Sequence, residues 1–338
     1  GNKIGGEIEI FPEADTRTNV RNGDVTSGID GEYIVTWQSD YQIYKQHFEF
    51  QQITSFVNNV EGSPGDDLLI GSYLDDNITT AEGADLVTAL GGSDSINLSA
   101  DGLWGMGYSA LNISNSSSIG TYERVSLEGL NRFSDIIDGG TDVDTLHLTS
   151  GNDAFFIDDA YSSHHGSLTL VETTLGMQSV ARIIDLETIN AGDGDDLVDL
   201  VSNNFMLDSS IEVLGGAGND VLWGSNGDDI LDGGSGIDSL FGGTGNDQLT
   251  GGEGADAFQF TSTAGADVIS DFEVGSDSLE LFYSSSDLHA VEHLRLINGL
   301  LTWNVHADDD TTVRIDLSST VNSSIVLDDL SIYFVEIT

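Results

Sequence analysis

The sequence predicts an all-β chain in which short parallel strands and tight turns alternate to wind a long coil. Three observations carry this reading. Acidic Gly-Asp turns recur every nine residues in three blocks, an apolar residue follows each turn aspartate two positions on, and apolar residues make up 38% of the 338-residue chain, interleaved with the acids. No helical period fits nine, whereas a turn followed by one short strand does.

Charge adds a condition. With 58 Asp and Glu against 9 Lys and Arg, the net charge of -49 opposes compaction unless cations neutralise part of it. The partner implied is a metal ion. Nucleic acid and anionic lipid are excluded as partners by the lack of a basic stripe. There is no cysteine, hence no disulfide framework and no thiolate metal site. No stretch approaches the roughly 20 apolar residues of a transmembrane segment. The start, Gly1-Asn2-Lys3-Ile4-Gly5-Gly6, has neither Met nor an apolar leader and reads as a fragment or processed form.

Taken in chain order, residues 5–10, 31–39 and 43–48 alternate polar and apolar positions as half-buried strands do, and form a small N-terminal β module. The first nine-residue block spans 62–97, with Asp67, Asp76, Asp85 and Asp94 followed by Leu69, Ile78, Val87 and Ile96. Thr80-Ala81 and Ala89-Leu90 stand where later repeats have Gly-Gly, so fewer or weaker ions are expected there. A shorter block carries Asp135, Asp144 and Asp153, followed by Ile137, Leu146 and Phe155, with Leu148-Thr149 in place of a glycine pair. Stretches 100–134 and 160–185 lack the nine-residue spacing. The second contains strand-like runs at 168–171 and 180–184, and both read as excursions from one continuous roll. A lone unit with Asp196 precedes the longest block, and Glu187 lies nine residues before it.

That longest block, 215–259, divides into GGAGNDVLW, GSNGDDILD, GGSGIDSLF, GGTGNDQLT and GGEGADAFQ. Its sixth positions are Asp220, Asp229, Asp238, Asp247 and Asp256; its eighth positions are Leu222, Leu231, Leu240, Leu249 and Phe258. Two units return the chain to its starting side, so like turns stack along each edge and the eighth-position residues fill the space between two parallel sheets. Carboxylates stacked at the strand spacing of about 4.8 Å repel one another unless something positive lies between them. Calcium suits that position: it takes about 6 to 8 oxygens, and these turns offer carboxylates and glycine-freed carbonyls. Magnesium wants a tighter octahedron and zinc prefers nitrogen or sulfur.

The nonapeptide G-G-x-G-x-D-x-U-x, kept in register over five units, resembles the RTX repeat of hemolysin-type calcium-binding proteins. The resemblance implies a parallel β-roll, a right-handed β-solenoid, with several calcium ions, each between one Gly-Asp turn and the turn two repeats on. Carried over, the ligand positions are Asp67, Asp76, Asp85, Asp94, Asp135, Asp144, Asp153 and Asp196, then the aspartates of the long block with the turn glycines Gly215, Gly218, Gly224, Gly227, Gly233, Gly236, Gly242, Gly245, Gly251 and Gly254. Residues 265–272 and the stretch to Thr338 are similar to the C-terminal regions of RTX proteins exported by type I machinery. That implies a chain that folds once outside the cell. The N-terminal module resembles a repeat arrayed in very large bacterial surface proteins.

The division expected is a β module at 1–60, a degenerate roll with inserts at 61–186, a regular roll at 187–260, and a cap with secretion-signal region at 261–338. For chemistry, residues 289–293 fit the H-x-x-E-H zinc pattern, but five-residue motifs arise by chance and this one lies in the secretion-like tail. The His164-His165 pair reads as a loop feature. One glycine-threonine-asparagine rung at Thr244 and Asn246 is no ice-binding array. No catalytic residue is assigned. The expectation is a secreted structural or interaction protein of the bacterial surface, an adhesin region or a self-assembling layer or filament subunit, binding calcium, itself, or surface glycans and proteins. The competing expectations are an RTX-tailed extracellular enzyme and the secretion tail of a larger toxin.

Overall fold

The computed structural model describes residues 20–27, 32–39, 42–49, 58–83, 85–100, 102–103, 131–133, 135–157, 170–173, 176–179, 181–202, 205, 207–261, 264–284, 294–304, 312–318 and 325–337. The chain divides into two compact units, Gly1–Phe56 and Val57–Thr338. In the first, Val20–Ser27, Glu32–Ser39 and Gln42–Glu49 form an antiparallel three-stranded sheet in sequence order, with an irregularity between Arg21 and Gly23. The strand expected at 5–10 lies outside the described residues.

The second unit is a coil of parallel strands built on one continuous thirteen-stranded sheet, here the common wall. Its parallel part runs through Asn58–Glu61, Asp76–Thr79, Ser95–Asn97, Thr145–His147, Thr188–Asn190, Glu212–Ala217, Ile230–Gly236, Gln248–Thr250 and Ala266–Ile269. Two different sheets face it. A four-stranded sheet contains Leu68–Ile70, Leu86–Thr88, Ile136–Asp138 and Ile183–Ile184. A nine-stranded sheet contains Asp153–Phe156, Leu197–Asp199, Val221–Trp223, Ser239–Phe241, Ala257–Thr261, Ser278–Ser284 and Ser331–Ile337.

Early coils alternate between the wall and the first opposing sheet, and late coils between the wall and the second. In between, the chain visits all three: Ile136–Asp138, Thr145–His147 and Asp153–Phe156, then Ile183–Ile184, Thr188–Asn190 and Leu197–Asp199. The stretches without the nine-residue spacing are therefore not wholly outside the roll. Asn131–Arg132 pairs with Asp153 and Ala154, and Ile183–Ile184 pairs with Ile137 and Asp138. Leu170–Thr173 and Gly176–Ser179 form a separate antiparallel hairpin.

Eighth-position residues line the interior as the spacing predicts. Ile78, Ile96, Leu146, Leu231 and Leu249 on the wall face Val87, Ile137, Val198, Leu222 and Leu240, all fully buried in one contiguous core. Burying such a side chain contributes roughly 1.5–3 kcal/mol. A coil of three strands encloses more space than one of two, and Leu98, Leu148, Ile157, Leu186 and Leu200 join the core along that stretch. At the C-terminal end the wall turns antiparallel through Thr312–Asp316, Leu300–Asn304 and Leu294–Ile297. Asn298 and Gly299 both have positive φ, as a two-residue hairpin requires. Trp303 is fully buried there, its ring edge-on to Phe334 at 6.4 Å.

Candidate metal centre

The turns place carboxylates and carbonyls together because glycine leaves no room for anything else. A Cβ at Gly215, Gly233 or Gly251 would stand 2.5 Å from Oδ2 of Asp220, Asp238 or Asp256 in its own turn. Gly234 has φ +95°, and a Cβ there would run into the Gly216 carbonyl of the preceding coil. Gly218, Gly236, Gly245 and Gly254 pack in the same way on the turn one coil back, Gly227 on Ser209, and Gly224 and Gly242 against Asp229 and Asp247.

Every sixth-position aspartate is buried except Asp67, and most join an end-to-end relay in which a backbone N–H donates to the carboxylate one coil ahead. Along the wall, Asp76 donates to Asp94 at 2.7 Å, Asp94 to Asp144 at 2.7 Å, and Asp144 to Glu187 at 2.8 Å. The relay resumes as Ile211 to Asp229 at 2.9 Å, Asp229 to Asp247 at 2.9 Å and Asp247 to Asp267 at 3.0 Å. At the first opposing sheet Asp67 donates to Asp85 at 2.8 Å and Asp85 to Asp135 at 2.9 Å. At the second, Asp153 donates to Asp196, Asp196 to Asp220 and Asp220 to Asp238, each at 2.8 Å, then Asp238 to Asp256 at 2.9 Å and Asp256 to Asp277 at 3.0 Å.

The second oxygen of each carboxylate depends on the second turn position. Where that residue is Ser63, Ser225 or Thr149, its N–H and hydroxyl donate to Asp67, Asp229 or Asp153. Where it is glycine or leucine, there is no such donor. Oδ2 of Asp94, Asp144, Asp196, Asp220, Asp238 and Asp247 is buried without a hydrogen-bond partner. Burial, followed by the neighbouring carboxylates, pushes Asp94 and Asp238 up to about 6, Asp144 and Asp220 to about 7, and Asp196 and Asp247 to about 8.

These orphaned oxygens fit a hard cation. Among the described residues no group of three or more His, Cys, Asp and Glu side chains is placed to hold a metal by itself. A cation on a relay therefore draws its remaining ligands from the turn carbonyls that the glycines bring together. An all-oxygen set of this kind is calcium chemistry rather than zinc chemistry.

A second, self-sufficient relay lies just outside the first. Fifth-position N–H groups donate backwards, Asn219 to Asp195 at 2.8 Å, Ile237 to Asn219 at 2.9 Å and Asn246 to Asp228 at 2.7 Å. Asn219 and Asn246 also donate their amides to the same carboxylates. Alternating amide and carboxylate removes the like-charge stacking that the sixth position retains.

Two relay members escaped the nine-residue reading. Asp267 and Asp277, both buried, extend the ladders at separations of 20 and 21 residues rather than 18. The runs Gly-Ala-Asp-Val at 265–268 and Gly-Ser-Asp-Ser-Leu at 275–279 are the signal that could have found them. The H-x-x-E-H run and His164-His165 lie outside the described residues. Among those described, no helix is long and apolar enough to cross a membrane.

Comparison with known proteins agrees with this geometry. A search of curated proteins found no match. Among solved structures, the extracellular lipase LipA from Serratia marcescens aligns at 17% identity over 79% of this chain and 39% of the lipase, with a TM-score of 0.21, so this chain spans well under half of that protein. A score that low carries no argument. The model of the RTX calcium-binding nonapeptide repeat matches four times, at 61–96, 131–156, 212–240 and 232–269, together about a third of the chain. Those segments contain most of the relay carboxylates, and the chain carries RTX calcium-binding nonapeptide repeats.

Proposed function

We propose that this is an extracellular, calcium-stabilised scaffold rather than an enzyme: an adhesin region, or a layer or filament subunit, that folds when it meets calcium after type I export. The observation that carries the reading is the set of buried aspartate oxygens without donors, supported by the net charge of -49. A cation between rungs supplies the missing partner and removes the repulsion along each ladder. Binding to the folded state alone contributes about 2.7 kcal/mol per site at a hundredfold excess over Kd. Several sites together are comparable with the roughly 5–15 kcal/mol by which domains of ordinary stability fold.

The test is a calcium titration of chelated protein followed by circular dichroism and sedimentation velocity. A cooperative gain of β signal with compaction supports the scaffold, and further growth into large species selects the layer or filament over the adhesin arm. A chelated protein that is already compact and unaffected by calcium sinks the reading.

A further inference from the structure

The relay along the common wall stops at one rung. Asp144 donates to the Glu187 carboxylate and Ile211 donates to Asp229, but the Ile211 side chain has no oxygen to accept the Glu187 N–H. The backbone ladder is undisturbed. Thr188 donates to the Asp144 carbonyl at 3.1 Å, Glu212 to that of Glu187 at 2.8 Å, and Ile230 to that of Ile211 at 2.9 Å.

Neither turn at this rung has a glycine pair: counted back from Glu187 and Ile211, the first two positions are Arg182-Ile183 and Met206-Leu207. The space between them is lined by Asp185 and Ser209 as well as Ile183, Leu186, Leu207 and Ile211 and offers about 10 Å³, room for no more than one water. The opposite edge is divided as well. Asp67, Asp85 and Asp135 serve the first opposing sheet, and the register that pairs Ile137 with Ile183 puts Ala181 where the next aspartate would follow. The relay from Asp153 to Asp277 serves the second sheet.

We propose that the roll holds calcium as two separate sets of sites, divided by a metal-free rung where the apolar Ile211 follows Glu187. This rests on the calcium reading above. One set lies on the relays Asp67 to Asp135 and Asp76 to Glu187; the other lies on the relays Asp153 to Asp277 and Asp229 to Asp267. Cations couple directly only through carboxylates they share, so across that rung one set senses the other through the continuous wall and core alone. The second set has Gly-Gly pairs at 215–216, 233–234, 242–243 and 251–252, which hold its carbonyls ready, and it fills first.

The experiment titrates calcium into the full chain, with hydrogen exchange read separately on peptides from 66–97 and 212–260 and bound calcium counted by elemental mass spectrometry. Two midpoints at least tenfold apart are expected, the later segment protecting first. Asp238→Asn should raise the second midpoint tenfold or more and leave the first within twofold. Ile211→Asp should add one bound calcium and draw the midpoints together. A single shared midpoint in the parent, or an equal shift of both by Asp238→Asn, overturns the two-set inference while leaving calcium binding intact. Absence of bound calcium overturns the calcium reading itself.

Discussion

The backbone N–H of Asp220 donates to Oδ1 of Asp238 at 2.8 Å, eighteen residues ahead, while Oδ2 of Asp238 is buried without a donor. One oxygen thus sets the spacing of the coils and the other is left for a cation.

The pH dependence follows from that unmet oxygen. In the folded, metal-free chain, burial raises Asp196 and Asp247 from 3.8 to about 8 and Asp144 to about 7. A raised folded-state pKa contributes stability that is fully present below the unfolded value near 3.8 and is lost as pH rises through about 6 to 8. Calcium-stripped protein, unfolded at pH 8, should therefore regain part of its β signal as the pH falls to 5. With calcium in excess the order should reverse, because protons compete for the same oxygens. Circular dichroism of the stripped protein and thermal melts in calcium at the two pH values decide it; more β signal in the stripped protein at pH 8 than at pH 5 would count against the ladder.

Asp247→Asn separates metal binding from folding. Removing a buried charge should increase the β signal of the stripped protein and lower the melting point in calcium, since an amide is a poorer cation ligand. Circular dichroism in chelator and differential scanning calorimetry in millimolar calcium should show the opposite signs. A loss in both conditions would make Asp247 purely structural.

Glycine substitutions should divide by what the missing Cβ would meet. Gly275 has φ +90° with open space around it, so Gly275→Ala should cost only backbone strain, about 1 kcal/mol. Gly234 has a similar φ of +95° but faces the Gly216 carbonyl, and Gly234→Ala should cost distinctly more, upwards of about 3 kcal/mol. Urea unfolding in saturating calcium measures both.

The core should respond to position within the repeat. Leu231 is fully buried, so Leu231→Ala should cost about 2–5 kcal/mol. Ile237, at a fifth position, is 62% exposed, and Ile237→Ala should stay within about 0.5 kcal/mol. Equal denaturant midpoints for the two variants would mean that the inward row has been misplaced.

Much of this was legible because the repeat states its own geometry: glycine where the turn closes, aspartate at the edge, leucine toward the interior. The same spacing brings Asp85 next to Asp135 although fifty residues separate them. The three-strand coils were not legible. Their strands at Asn131–Arg132 and Ile183–Ile184 are two residues long and follow stretches with no repeat, so nothing local marks them. Asp267 and Asp277 were passed over for a related reason: two or three extra residues break the nine-residue spacing while the strand pairing continues.

The orientation of the strands has a mechanical consequence. Each strand of the common wall lies across the coil axis, and its hydrogen bonds run along that axis to the next coil. Tension applied to the two ends of the roll loads those bonds one coil at a time, as in opening a zipper. Each eighteen-residue coil that lets go releases up to about 60 Å of chain. A roll built this way yields in many small steps rather than all at once.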